Sequence, residues 1–270
     1  WKMKKNDFEK DVLAASKWHG ESAPREFSWS LSRHILFNSC KRAYFIRYHL
    51  AQGGWNTYSG DIPKSAYTEK YLRNITSWAS DVFISSLESA LSSLQYVNSP
   101  QEERHAALER ELKIGISRRL FADDASLRHE EWRHDAKKLN LSELYYKRIP
   151  ASAGESAPVS AARKKLSGAL SLFIRSDIFY ELASVDPLCW KRNQDVPYFT
   201  LGCMKVYLNT GLVALYDGRL LSFDFSFVSN DKVSTEPDLL PASLFAIYAS
   251  KRWSGVQPVS RKILFTSDSM

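Results

Sequence analysis

Apolar side chains recur at helical spacing through most of the first two thirds of the chain and then switch to strict alternation. From Phe27 the sequence reads FSWSLSRHILFNSCKRAYFIRYHLAQGGW, with Ser30 placed to cap a helix whose apolar positions begin at Leu31 and Ile35. A second helical stretch carries Tyr44, Ile46 and Tyr48, and Gly53-Gly54 ends it. The spacing of Ile75, Trp78, Val82 and Leu87 predicts a long helix from Lys70 to Leu94. Glu102 to Leu120 is a further helix whose mixed charges fit a solvated face, and Ser126 to Tyr146 is again helix-like. The segment IPASAGESAPVSA, Ile149 to Ala161, is small, polar and punctuated by Pro150 and Pro158, and reads as an exposed loop. No internal repeat is present.

The stretch from Phe199 to Val228 carries the strongest strand signal: β-branched and aromatic residues surround Asp217-Gly218, a dipeptide suited to the positive φ angles of a two-residue hairpin turn. That turn sets Tyr216 opposite Arg219, and counting outward sets Asn209 opposite Ser226. The return strand alternates polar and aromatic residues from Ser222 to Phe227. One face then collects Leu208, Leu212, Leu221, Phe223, Phe225 and Phe227, and the other Asn209, Asp224 and Ser226. The polar face is either a solvated sheet surface or a chemical site. Pro237 to Trp253 returns to helix, and Lys262 to Phe265 predicts a last strand. Helices, then a sheet, then a helix leading to a further strand indicate an α/β or α+β fold, a mixed sheet flanked by helices with a large helical N-terminal portion. The expected organisation is a single domain over residues 1–270, with a helical insertion at 55–165 ending in the Pro/Ala/Ser loop and a sheet-bearing core at 166–270.

Composition changes the picture in two respects. The chain of 270 residues is 44% hydrophobic, 13% aromatic and 25% charged, which excludes wholesale disorder and predicts a packed core. A formal net charge of +7 favours an anionic partner such as DNA or RNA, provided the cations cluster. Cys40, Cys189 and Cys203 form neither a disulfide framework nor a CxxC pair. No apolar run approaches a membrane span, and Trp1 to Lys10 is charged, so the expectation is a cytoplasmic protein with no membrane partner. His19, His49, His105, His129 and His134 share no metal-ligand spacing.

The hairpin and the N-terminal segment together resemble the RecB-like branch of the PD-(D/E)XK nuclease superfamily. In that branch an Asp on one strand and an acid-x-Lys on the next flank a hairpin. SWSLSRHILFNSCKRAYFIRYHLAQGGW is similar to the serine-led helix, the Cys followed by basic and aromatic residues, and the Tyr-rich helix that open such proteins. The later helix, with Leu244 and Tyr248, resembles the branch's Gln-x-x-x-Tyr helix in spacing. The resemblance implies acids that hold one or two divalent cations and a lysine that orients the attacking water.

Carried over by position, the strand Asp falls on Asn209, the second acid on Asp224, the lysine on Ser226 and the helix Gln on Leu244. Tyr248 is kept, and the His of an upstream helix falls on Ile84. Asn209, Ser226, Leu244 and Ile84 have thus lost their chemistry. One carboxylate among neutral neighbours binds magnesium poorly, because the ion surrenders its water shell reluctantly. The resemblance therefore implies a vestigial site with no cofactor; magnesium or manganese enters only if activity is retained, with Asp224 as the single ligand. Lys205 and Lys232 are candidates for a migrated lysine, although neither replaces the missing carboxylate. Cys40 matches an iron-sulfur ligand of some relatives, but no cysteine follows Cys203 to complete a cluster.

Near the N-terminus Arg33, Lys41, Arg42 and Arg47 interleave with Phe37, Tyr44 and Tyr48, a pattern able to hold phosphates while rings stack, or else a helix with its aromatics in the core. Three functions follow as expectations. The first is a pseudo-nuclease binding nucleic acid as an accessory subunit, with other protein subunits as partners, in DNA processing or antiviral defence. The second is an interaction scaffold, and the third an active metal-dependent nuclease with rearranged residues.

Overall fold

A computed structural model describes residues 28–94, 101–146, 157–186, 189–191, 197–228 and 239–266. The fold is mixed α and β, with two small sheets among the described residues. The chain groups into two compact units, one built from residues up to 72 with 132–140 and 198–207, the other from 73–131, 141–197 and 208–270.

The first unit opens with strand β1 (Ser28–Ser30). Ser30 leaves the strand with extended backbone and caps α1 (Leu31–Ser39), its hydroxyl accepting the Arg33 N–H at 3.4 Å. Cys40 repeats the device for α2 (Lys41–Phe45): its Sγ accepts the Ala43 N–H at 3.4 Å. The helix continues through a π-helical turn, Ile46–Leu50, and Gly53 at φ +80° turns the chain out of it. The Gly53-Gly54 stop signal thus holds. Gly54 then lies so close to α3 (Asp61–Tyr71) that a Cβ there would sit 2.2 Å from the Pro63 carbonyl oxygen. Leu50, Ala51, Ala66 and Tyr67 form the core of this unit. In its sheet β3 (Tyr198–Leu201) is antiparallel to β4 (Met204–Tyr207) and β1 is parallel to β4, giving the order β1-β4-β3.

The second unit begins where apolar spacing predicts a single helix from Lys70 to Leu94. The helix is broken instead: Arg73 bridges to Leu141, its carbonyl accepts the Ser142 N–H at 2.8 Å, and the Asn74 side chain accepts the Ser77 N–H at 2.7 Å to start α4 (Ile75–Leu94). An Asn cap is a local alternative to continued helix that apolar spacing does not register. Helix α5 (Gln101–Arg128) runs beside α4, joined to it by a buried hydrogen bond from Trp78 Nε1 to Asp123 Oδ2 at 2.7 Å. The expected helix from Ser126 to Tyr146 also breaks: Glu130 adopts φ +48°, a short 3-10 turn follows at Glu131–Arg133, and α6 occupies only Ser142–Tyr145. Part of the expected loop at Ile149 to Ala161 is helix, because α7 (Ala157–Phe173) takes Pro158 into its first turn, where no N–H is required, and buries Val159 and Ala162. Residues 149–156 lie outside the described ones. Helix α8 (Asp177–Ser184) follows, capped by Ser176.

In the sheet of this unit, strands β2 (Trp190–Lys191), β5 (Leu212–Tyr216) and β6 (Arg219–Val228) are antiparallel neighbours in that order. Strand β7 (Gln257–Thr266) completes it, pairing parallel to β6 over ten residues. Parallel neighbours need a crossover, and α9 (Leu239–Arg252) lies in it and packs along β7. The predicted last strand is present and longer than Lys262 to Phe265. Phe83 of α4 stands at the centre of an aromatic cluster, 5.3 Å from Phe173, 5.7 Å from Phe225 and 5.1 Å from Phe265 between ring centroids. Helices α4 and α7 pack on the sheet, because Phe83 and Phe173 bury their rings against Phe225. Among the described residues no helix is long and apolar enough to cross a membrane.

Replacement of Phe83, which is fully buried, by Ala is expected to cost about 3–5 kcal/mol, because four facing rings cannot all close on the cavity. Urea denaturation followed by near-ultraviolet dichroism checks this.

Candidate functional site

Two regions hold the residues that the sequence marks for function. The first is the hairpin. Asp217 at φ +48° and Gly218 at φ +69° form its turn, and Tyr216 faces Arg219 as expected. The outward count fails further on. The ladder ends at Leu212 opposite Phe223, so Asn209 does not pair with Ser226. The reason lies in Gly211, which takes φ +57° so close to β6 that a Cβ would fall 2.0 Å from the Phe223 carbonyl oxygen. Ser222 Oγ donates to the Thr210 carbonyl at 2.5 Å, and the Leu208 N–H turns to the Pro197 carbonyl at 2.9 Å. Asn209 is exposed and stands before this kink, outside the sheet.

Beyond the kink β6 keeps the predicted alternation. Phe223, Phe225 and Phe227 are buried, while Asp224 and Ser226 are half-buried on the opposite face. The face is less polar than expected near the turn, where Leu220 and Ser222 are also buried. Strand β7 supplies what hairpin counting misses. In its parallel register Asp224 is beside Lys262, and Ser226 beside Leu264. Burial pushes the Asp224 carboxyl above its ordinary value, with Lys262 and the Phe225 N–H acting in the opposite sense. Among the described residues no group of three or more His, Cys, Asp or Glu is placed to hold a metal ion.

Ser80 of α4 accepts the Phe227 N–H at 3.0 Å, which satisfies a backbone donor of β6 where β5 no longer pairs. Ile84 lies one turn along on the same stripe of α4 and is half-buried. On α9 Tyr248 is buried with its ring 5.6 Å from Trp253, and Leu244 is half-buried. Lys205 lies in β4 of the other unit, its ammonium 5.0 Å from the Tyr198 ring centroid, and Lys232 lies outside the described residues.

The second region is the N-terminal block. Arg33 is committed locally, donating to Ser28 Oγ at 2.8 Å with its guanidinium 4.8 Å from the Tyr48 ring centroid. Lys41 lies 5.7 Å from the Phe37 ring, and Phe37, Tyr44 and Tyr48 continue as a chain of ring contacts at 5.3 and 5.1 Å. Lys41, Arg42 and Arg47 are exposed, while Tyr44 and Tyr48 are half-buried, so the block places its cations outside and its rings across the boundary. Residues 28–60 contain no Asp or Glu at all. The described residues of the first unit carry ten Lys and Arg against Asp61, Glu69 and Asp135. Removing these from the chain's 37 and 30 leaves 27 of each, so the entire excess of seven resides there. Cys40 is an exposed helix cap, and Cys189 and Cys203 are exposed and free.

No family model, curated protein or solved structure matches the chain.

The raised Asp224 carboxyl has a definite consequence for stability. The native state holds this proton more tightly than the unfolded chain, so the associated stability is present below the ordinary carboxylate value of 3.8 and is lost as pH rises through the raised one. Asp224→Asn is therefore expected to raise the melting temperature at pH 7 relative to the parent, with the gap closing toward pH 3. Thermal melts of both proteins across that range decide it.

Proposed function

We propose that this protein binds nucleic acid as a catalytically degenerate PD-(D/E)XK-like protein, acting as an accessory subunit in a DNA-processing or antiviral defence assembly. The observation that carries the reading is the concentration of the positive excess in the described residues of one unit, which include the acid-free stretch 28–60. A polyanion releases counterions when it meets such a surface, and it does so whatever its base sequence. Lys41, Arg42 and Arg47 reach solvent from consecutive turns, while Arg33 is held against Tyr48 and Ser28 and orders the start of the block. The degenerate character rests on Asn209, Ser226, Leu244 and Ile84, and on the kink at Gly211 that leaves Asn209 without a partner on β6.

An active nuclease is the second reading, favoured by one observation: Lys262 stands beside Asp224 in register. A lysine reaching the acid from the neighbouring strand restores the cation that Ser226 lacks, although the second carboxylate is still missing.

Fluorescence anisotropy of a labelled oligonucleotide, titrated at several salt concentrations, tests the first reading. The affinity is expected to fall linearly on a log-log plot. Lys41→Glu combined with Arg47→Glu should lower affinity about tenfold or more and reduce the slope by about 2, one for each phosphate that is no longer neutralised. Binding that ignores salt, or that survives both reversals, sinks it. Manganese- or magnesium-dependent cleavage abolished by Asp224→Asn and by Lys262→Ala would establish the second reading instead.

A further inference from the structure

A cleft of about 780 Å³ opens within the first unit, between the turn that follows Gly53, helix α3 and residues 132–137. Its walls combine two kinds of side chain. Trp55 is 63% exposed with its indole edge-on to Tyr67 at 5.7 Å, and Tyr67 meets Tyr71 at 5.0 Å, so a continuous aromatic wall ends in a ring that solvent reaches. Around it stand Lys64, Lys70, Arg133 and Lys137 against one carboxylate, Asp135. Lys64 donates to the Thr57 carbonyl at 2.9 Å and so braces the turn, and Arg133 lies 4.9 Å from the Trp132 ring. Asp135 is engaged by the Lys137 backbone N–H at 2.9 Å.

An exposed indole offers a flat apolar face, and the basic side chains around it favour a negatively charged ligand. An aromatic cage for a quaternary ammonium has the opposite charge, and a bare phosphate or sulfate has no use for the ring wall. A ligand with a planar ring and a phosphate satisfies both. We propose that this cleft binds a single unpaired nucleotide, its base stacked on Trp55 and its phosphate held by the surrounding lysines and Arg133. The site is separate from Lys41, Arg42 and Arg47, and it deepens the proposed function by making the bound nucleic acid single-stranded at this point. A nucleotide within a strand and a free mononucleotide share this chemistry. Duplex DNA does not, because its bases remain stacked on one another.

The test uses the whole chain with four probes: labelled oligothymidylate, a labelled duplex of equal length, thymidine monophosphate and inorganic phosphate. Oligothymidylate is expected to bind more tightly than duplex, and thymidine monophosphate to displace it at concentrations where inorganic phosphate does not. Trp55→Ala should weaken oligothymidylate about tenfold and leave duplex unchanged, Trp55→Phe should restore most of the loss, and Lys137→Glu should weaken both oligothymidylate and monophosphate. If Trp55→Ala binds oligothymidylate as the parent does while Lys41→Glu with Arg47→Glu loses it, the cleft proposal fails and the proposed function stands. If no polymer binds but thymidine monophosphate binds in a Trp55-dependent manner, the cleft proposal stands and the proposed function fails.

Discussion

The ring cluster around Phe83 is the contact on which the larger unit depends. One side chain on α4 touches rings from α7, from β6 and from β7, so three elements distant in sequence share a single buried aromatic centre. Because Phe225 and Phe227 enter that centre from β6, Asp224 and Ser226 are forced to the other face, since side chains alternate along a strand. The polar face is therefore a consequence of the aromatic one. The hydrogen bond from the Phe227 N–H to Ser80 depends on the same packing, which brings α4 along the part of β6 that β5 leaves unpaired. Trp78 and Asp123 extend the arrangement to α5 through a buried polar contact that tolerates little displacement.

Charge is distributed on a different principle. The larger unit and the remainder of the chain balance acids against bases, in places as pairs one helical turn apart, as Lys113 with Glu109. Such pairs are close to neutral in effect on exposed helices. The smaller unit has few acids among its described residues, and some of its cations lie over rings, as Lys41 over Phe37 and Lys70 over Tyr71. A cation on a ring keeps its charge available to an incoming anion, which a cation paired with a carboxylate does not. This contrast, more than the total of +7, is what the proposed binding rests on.

The hairpin shows how far counting along a strand carries. The turn, the facing of Tyr216 and Arg219, and the aromatic alternation from Phe223 to Phe227 are all legible, because each depends on residues within a few positions of one another. The pairing of Asn209 with Ser226 is not, since it assumes an unbroken ladder and the left-handed Gly211 ends it. A glycine before a strand is compatible with either outcome, and the close approach to the Phe223 carbonyl decides between them. The helix breaks at Asn74 and Glu130 escape the sequence for a related reason: a side-chain cap or one residue of positive φ interrupts a helix without disturbing its apolar spacing.

What the sequence determined by itself is the local order: the Ser30 cap, the Gly53 stop, the hairpin turn at Asp217-Gly218 with the alternation that follows it, and the α and β mixture. What only the tertiary structure decided is which distant residues meet. Lys262 comes beside Asp224 through a parallel pairing that requires a whole crossover between the strands, and no periodicity records the register of such a pair. The cleft of the smaller unit joins residues 54–71 to 132–137 across an intervening helical stretch that belongs to the other unit. Local signals survive in the sequence because backbone geometry is set over a few residues; contacts made by packing do not, because they depend on everything folded in between.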